Sequence, residues 1–440
     1  MSSTTSTSCG VRWITRLVPC FLLAIVIYAT YVVIARICVD YLLRERHETG
    51  LAAAFIVLYF IFFFLGITCY IRTIWVIKKD PSLVPLEPNS RGAQVLRSRE
   101  HRRHKGLKSV FGRPYNDEES SIGYSPPDAN PDSPGLERFY SKDVFVCESD
   151  GRPKWCHDCG QWKPDRASHS REIERCVRKM DHYCPWVGGM VAENSFKFFA
   201  QFTFYAWLFC AVVLSATAYT IAKQLEDGGV PDGHTFAILV LSGFLGFFSC
   251  AMSGTALRFI SKNMTNVDLL KKQMSYQLAV RVPLGTPPTE RFMTITYPLP
   301  RLASVQQQWQ PPQPLASSQA QQPTAQTNGE AESQLPTETD ENPSALRDRL
   351  AQRTFAILRT EPGENPWDLG YRRNWIEVMG SSPIGWFLPI TRSPCTAHDN
   401  LESEYPYGPV LADLKARYGL DPKPWTDKEQ GIELRDQTRR

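Results

Sequence analysis

The sequence has 440 residues, a net charge of +4 and 43 % hydrophobic residues. Its mean hydropathy is nevertheless −0.28, so long apolar blocks must alternate with very polar stretches. The charge is too small to argue for nucleic acid; the basic cluster at residues 97–108 adjoins a predicted membrane segment, where anionic lipid is the better partner, and no nucleic-acid recognition motif accompanies it.

In chain order, residues 1–79 hold two nearly unbroken apolar runs, 17–35 and 51–71. Each is close to the ~20 residues that cross a bilayer as a helix, the form that satisfies its own backbone in lipid. The first run exceeds the ~7–15-residue core of a signal peptide and no small-residue cleavage site follows it, so a retained span is expected. Residues 80–150 are rich in Pro, Ser and charge and read as a largely flexible cytosolic linker. Residues 151–197 are dense in Cys, His, Trp and Gly and read as a folded cytosolic domain. Two further apolar runs, 198–221 and 236–257, are followed by a tail over 258–440. Within it, the Gln/Pro/Ser/Thr-rich tract 306–345 is expected to be disordered; aromatic residues return from 355 to 408, with an ordered motif near 365–380. Arg72, Lys78 and Lys79 open a middle segment with many more Lys and Arg through Lys197, and Arg258, Lys262, Lys271 and Lys272 follow the last run, whereas the connection between the last two runs has Lys223 against Glu226, Asp227 and Asp232. This asymmetry puts both termini and the cysteine-rich domain in the cytosol, although the first connection also carries Arg36, Arg44 and Arg46. The expected fold is thus an all-α polytopic membrane protein, four transmembrane helices with a small cytosolic cysteine-rich domain.

Twelve cysteines are not laid out as a secreted disulfide framework. Cys20, Cys38, Cys69, Cys210 and Cys250 lie in or beside apolar runs, as small hydrophobes do. Cys156, Cys159, Cys176 and Cys184 crowd into one polar stretch, a pattern of thiol or metal chemistry in a reducing compartment. Cys156 and Cys159 form a C-x2-C knuckle that brings two thiolates to one tetrahedral ion, and His169 and Cys176 complete a four-ligand N/S set suited to one structural zinc. His157 is a rival ligand, but its place inside the knuckle makes joint coordination awkward. Cys184 admits three readings: a zinc ligand in place of Cys176, an ordinary buried thiol, or a nucleophile. The last needs a neighbour that takes its proton. His182 is the natural base and Asp181 its orienting carboxylate. Pro185 biases Cys184 towards extended backbone, where residues two apart project to the same side.

Taken together, these motifs resemble the DHHC family of membrane protein S-acyltransferases, over about half the chain. Cys156 and Cys159, Lys163-Pro164, Arg166, His169, Cys176, Asp181, His182, Cys184-Pro185-Trp186, Asn194 and Phe198 match that family's pattern in order. Asp80-Pro81-Ser82 is similar to its D-P-G, and Thr265-Asn266-Val267-Asp268 to its T-T-x-E. Asn365-Pro366-Trp367-Asp368-Leu369-Gly370 with Asn374-Trp375 looks like its C-terminal motif, which packs against the catalytic region; the layout and low-complexity tail resemble fungal members. The resemblance implies a two-step transfer in which Cys184 takes a long-chain acyl group from an acyl-CoA such as palmitoyl-CoA and passes it to cytosolic cysteines of membrane-associated proteins. In it His182 deprotonates the attacking thiols and Asp181 holds His182. An acyl chain is then expected in an apolar cavity between the spans, with Ser242, Gly243, Gly246, Ser249 and Gly254 serving either that cavity or close helix packing. The family usually holds two zinc ions, and the ligands of the second are replaced here at Ser170, Ile173, Tyr183 and Met190. A single zinc is expected, with those apolar residues clustering in place of the other. The rival reading is a catalytically inactive, zinc-stabilised membrane adaptor that binds partner proteins. A transporter is disfavoured by spans without ionisable residues on a pathway.

Overall fold

The computed structural model describes residues 6–87, 90–105, 135–271, 275–297 and 352–420. The expected disordered tract 306–345 lies outside them, as do residues 106–134 of the linker and 421–440 of the tail.

The apolar runs fold as four helices long and apolar enough to cross a membrane: Leu17–Glu45, Thr49–Lys79, Phe196–Glu226 and Gly233–Ser261. Their large side chains point outward as well as inward, with Phe21, Leu23, Phe64, Phe244 and Phe247 all exposed. A helix apolar on every side has lipid, not water, as its surroundings. The third helix packs along both the second and the fourth. Inside the bundle, Tyr59 of the second meets Val213 and Ala216 of the third and Ile238 of the fourth. The first helix changes character midway, being α-helical over Ser6–Thr30 and π-helical over Tyr31–Glu45. Its buried residues accordingly recur at five-residue steps, Val32, Ile37 and Leu42 beside Val33 and Cys38, as i→i+5 bonding requires.

Outside the bundle the expectation of an all-α fold is corrected. Val144–Cys147, Gln277–Val282, Met293–Tyr297 and Arg353–Arg359 form one antiparallel four-stranded sheet, with Arg353–Arg359 between the Gln277–Val282 and Met293–Tyr297 strands. Val280 faces Val144 on one side and Ala356 on the other, and Ala356 in turn faces Thr294. Alternate residues serve opposite faces. Phe145, Ala279 and Phe355 pack with Leu136 and Trp162, while Val144, Leu278, Val280 and Leu358 pack with Trp367, Tyr405 and Leu414. Strands buried on both faces read as short apolar runs without alternation.

The cysteine-rich segment is itself three small β-hairpins: Trp155–Cys156 with Gln161–Trp162, Ser168–Ser170 with Arg175–Val177, and His182–Cys184 with Gly189–Val191. The third lies flush on the second long helix, for a Cβ at Gly189 would stand 2.5 Å from Ile77 Cγ2. The residues leaving that helix hold the hairpins together. Val84 N–H donates to Cys176 O (2.9 Å), Arg178 N–H to Ser82 O (2.8 Å) and Asn194 N–H to Ser82 Oγ (3.0 Å). Ser82 adopts φ +57°, a conformation that favours glycine; its hydroxyl supplies a bond no glycine would.

Candidate active site and metal centre

Two hairpins bring four ligand atoms to one point. Cys156 and Cys159 come from the first, and His169 and Cys176 are cross-strand partners in the second. The three Sγ atoms and a ring nitrogen all lie within 4.8 Å of one another. His169 Nδ1 is 3.5, 3.4 and 4.0 Å from the Sγ atoms of Cys156, Cys159 and Cys176. With Zn–S of ~2.3 Å and Zn–N of ~2.0 Å, a tetrahedral edge is about 3.6 Å, so the set is already close to the size of such a site. Mutual thiol hydrogen bonds push Cys156 far below the ordinary thiol range and Cys159 and Cys176 above it. A bound cation is what would let three buried thiols ionise together. On the outer side, His169 Nε2 faces Asp158 Oδ2 at 3.5 Å, the second partner that a ligating imidazole usually has. His157 is exposed and outside the group.

Ser170, Ile173, Tyr183 and Met190 are used differently. Ile173, Tyr183 and Met190 pack with Val177 and Ala192 in one apolar cluster. Ser170 Oγ donates to Glu172 Oε2 at 2.6 Å.

Cys184 stands apart from the thiol cluster, in the third hairpin. It is 4 % exposed and packs with Val187, Phe199 and Val378. His182 and Cys184 share one strand two positions apart, so their side chains project to one face. Asp181 Oδ2 lies 2.6 Å from His182 Nδ1, and the ring of Phe199 meets the imidazole edge-on at 5.3 Å. Burial pulls the imidazole's pKa down, but hydrogen bonds with Asp181 and Cys184, and their charges, outweigh it and push His182 up to about 9. At neutral pH the imidazole is therefore charged.

The second carboxylate oxygen of Asp181 is held from further along the chain. Asn266 N–H donates to Asp181 Oδ1 at 2.7 Å, an otherwise unpaired amide at the start of the short helix Asn266–Lys271. Thr265 and Asp268 fix that helix start reciprocally: Asp268 Oδ2 accepts from Thr265 N–H and Thr265 Oγ1 from Asp268 N–H, both at 3.1 Å. Asp268 also pairs with the buried Arg166, whose guanidinium donates to Asn263 and lies over the Trp367 ring at 4.9 Å. Asn365 and Asn374 reach from the tail to the end of the fourth helix, donating to Lys262 O and Ser261 O at 2.8 Å each. The motifs around 80–82, 265–268 and 365–375 thus converge on Asp181-His182-Tyr183-Cys184.

Sequence reasoning missed Asn263, Lys179 and Glu193. Lys179 Nζ donates to Asn263 Oδ1 (3.0 Å), and Glu193 takes Tyr405 Oη (2.7 Å) and His398 Nε2 (3.2 Å). Each is a lone polar residue whose partner lies far away in the chain, so no local pattern marks it.

Beyond Cys184 opens an apolar cavity of about 500 Å³ among the long helices. Cys184, Trp186 and Phe202 line it together with Phe63, Phe209 and Ile238. The two roles weighed for the small residues are each met by some of them, and Gly254 meets neither, since nothing stands within 4 Å of a Cβ there and it does not line the cavity. Ser242 and Ser249 line the cavity, whereas a Cβ at Gly246 would come within 3.2 Å of Cys210 Cβ, marking close packing against the third helix.

Residues 149–273 match the family model described as DHHC palmitoyltransferase. The chain is 38 % identical to "Palmitoyltransferase pfa5" of Emericella nidulans, covering 93 % of this chain and 87 % of that one. It is 36 % identical to the protein of the same name from Aspergillus fumigatus, over 93 % and 90 %. The human "Palmitoyltransferase ZDHHC3" is 35 % identical over 27 % of this chain and 42 % of its own.

Proposed function

The chain belongs to the DHHC palmitoyltransferase family, and on that premise we propose that Cys184, His182 and Asp181 carry its protein S-acyltransferase reaction. It is an integral membrane enzyme, and its donor is a long-chain acyl-CoA, best read as palmitoyl-CoA. The observation that carries the assignment is the charged His182, held by Asp181, beside a cysteine that opens on an apolar cavity.

Cys184 reacts as its thiolate, beside the imidazolium of His182. The thiolate attacks the thioester carbonyl, forming S-acyl-Cys184, and the CoA thiolate leaves with the proton of His182. Acylation removes both the charge and the hydrogen bond that Cys184 contributed, so the imidazole loses part of its upward shift and becomes a competent base. Neutral His182 then takes the proton of an incoming substrate cysteine, whose thiolate attacks the acyl carbonyl. Cys184 departs as thiolate, restoring the ion pair. Asp181, held by Asn266 N–H, keeps the ring in one orientation throughout and in one tautomer when it is neutral. The acyl chain occupies the cavity lined by Phe202, Phe209 and Ile238.

Cys156, Cys159, His169 and Cys176 hold one zinc ion. Four protein ligands close its coordination shell, so it organises the hairpins and takes no part in the chemistry. The Ile173, Tyr183 and Met190 cluster replaces a second ion. Residues 151–197 and both termini face the cytosol, where membrane-associated proteins present their cysteines at the bilayer surface. The division into two helix pairs, linker, cysteine-rich domain and tail follows this topology.

The test is labelling of the full-length protein with an alkynyl palmitate probe. Hydroxylamine-sensitive label is expected on the parent and lost in Cys184→Ser. Equal labelling of the two would remove Cys184 as the nucleophile and leave the adaptor reading.

A further inference from the structure

We propose that residues 383–390 form a membrane-dipping anchor, an apolar segment seated in the cytosolic leaflet against the third long helix and held there by Gln201 and Tyr205. The proposal goes beyond the acyltransfer reaction and rests on reading the four long helices as spans.

From Ser381 to Thr391 no residue carries a charge. After the short helix Pro383–Phe387 the chain turns back through Leu388, Pro389 and Ile390. Ile384, Phe387 and Ile390 are 65, 59 and 61 % exposed, and Leu388 is exposed as well. So many large apolar side chains on one short segment are costly in water. The same segment is tied to the third helix through its backbone. Gln201 Nε2 donates to the carbonyls of Gly385 (3.1 Å) and Trp386 (2.9 Å), and Tyr205 Oη to that of Phe387 (2.7 Å). Lys197 Nζ donates to Met379 O and Thr391 Oγ1 on either side of it.

Position along the third helix sets the depth. At 1.5 Å per residue, Gln201 and Tyr205 lie about 7 and about 14 Å beyond Phe196, whereas the polar layer on each side of a bilayer is about 5–8 Å thick. The carbonyls of 385–387 are therefore carried to the level of the hydrocarbon. Irregular backbone persists at that depth only where protein satisfies its polar groups. Gln201 and Tyr205 do so from a stretch of helix that, Lys197 and Thr203 apart, is Phe and Ala. Their polarity at this level has no other use among the described contacts, and Gln201 is 4 % exposed. Charge borders the segment on its far side, with Arg392 paired to Asp80 at 3.4 Å. An apolar face continuous with a spanning helix, with its carbonyls capped from that helix and a basic residue at its edge, fits a lipid bilayer rather than a second protein. Because Trp386, Val378 and Met379 pack into the cluster that contains Cys184, the anchor would also hold the reacting sulfur at the membrane surface.

The experiment is photolabelling of the full-length protein in phosphatidylcholine vesicles containing a phosphatidylcholine with a diazirine partway down its acyl chain, followed by peptide mapping. Label is expected on the peptide containing 383–390 and on the fourth helix at the exposed Phe244 and Phe247. In Gln201→Leu the label on 383–390 should fall while that on the fourth helix stays. Label on the fourth helix with none on 383–390 overturns the anchor and leaves the spans intact. Absence from both overturns the spans and the anchor together. Unchanged label in Gln201→Leu removes the carbonyl cap as the reason for its depth.

Discussion

Asp181→Asn isolates the electrostatics of the site with little change of shape. The variant keeps an oxygen to accept the Asn266 N–H bond of 2.7 Å. It loses the carboxylate that lies 2.6 Å from His182 Nδ1. Burial depresses the imidazole, and hydrogen bonds and charges of Asp181 and Cys184 carry it instead from 6.5 to about 9. At ~1.4 kcal/mol per unit, that rise corresponds to at most about 3 kcal/mol of preference for the charged form. If Asp181 supplies most of it, His182 in the variant titrates near its ordinary value, where only about one imidazole in ten is protonated at pH 7.5. Formation of S-acyl-Cys184, followed as release of CoA in the first turnover, should slow about tenfold at pH 7.5 and recover towards pH 6. The linkage sign gives a second readout. The folded imidazole's pKa lies above its unfolded value, so its contribution to stability is complete below pH 6.5 and lost as pH rises through about 9. The difference in melting temperature between parent and variant should shrink across that window. A variant that acylates at the parent rate with the parent's profile from pH 6 to 9 would refute the ion-pair account.

Metal analysis of the purified parent should return close to one zinc per chain, and Cys156→Ala should lose it and unfold the hairpins; two zinc ions per chain would contradict the apolar replacement. His182→Ala should stop acyl transfer with the zinc retained. Asp268→Ala leaves the buried Arg166 without its carboxylate and should cost about 3–5 kcal/mol, read as a fall in melting temperature together with a loss of activity. Ser249→Phe fills part of the cavity and should shift donor preference, measured by competition among acyl-CoAs, towards shorter chains.

What the sequence made legible depended on how far each interaction reaches along the chain. Four apolar runs of near-bilayer length gave the helices, because length alone separates them from core elements. Their ends were less visible: the first helix continues to Glu45 and the third starts at Phe196, since helical bonding outlasts the apolar run at both membrane faces. The cluster of Cys156, Cys159, His169 and Cys176, which could hold a metal ion, was readable from spacing, as both hairpins are local. The four-stranded sheet was not. Val144, Val280 and Ala356 are paired neighbours separated in sequence by two long helices and a polar tract, and each strand alone is a short apolar run with no period to declare it. Arg166 shows the same limit, for its partners Asn263, Asp268 and Trp367 are spread over the following two hundred or so residues of chain and only the fold unites them.

Under the proposed replacement of a second metal by an apolar cluster, something else must hold the third hairpin. Met190 is buried but Ile173 and Tyr183 are only partly so, and those two return less than the ~1.5–3 kcal/mol of a fully buried side chain apiece. A structural zinc contributes far more. The remaining restraint must come from outside the hairpins, and the contacts are where that argument requires them. Ser82 O and Ser82 Oγ take the amides of Arg178 and Asn194. Glu193, at the hairpin's exit, is gripped by Tyr405 and His398. Arg178 pairs with Glu404 at 2.7 Å. All but Ser82 among these partners belong to the tail, beyond the fourth helix. On that proposal the chain depends on its tail to keep His182 and Cys184 on one face. Tyr405→Ala, which touches neither the thiol cluster nor the acyl cavity, should lower acylation while zinc content is unchanged; in a chain whose third hairpin stood on its own, the same substitution would leave the rate alone.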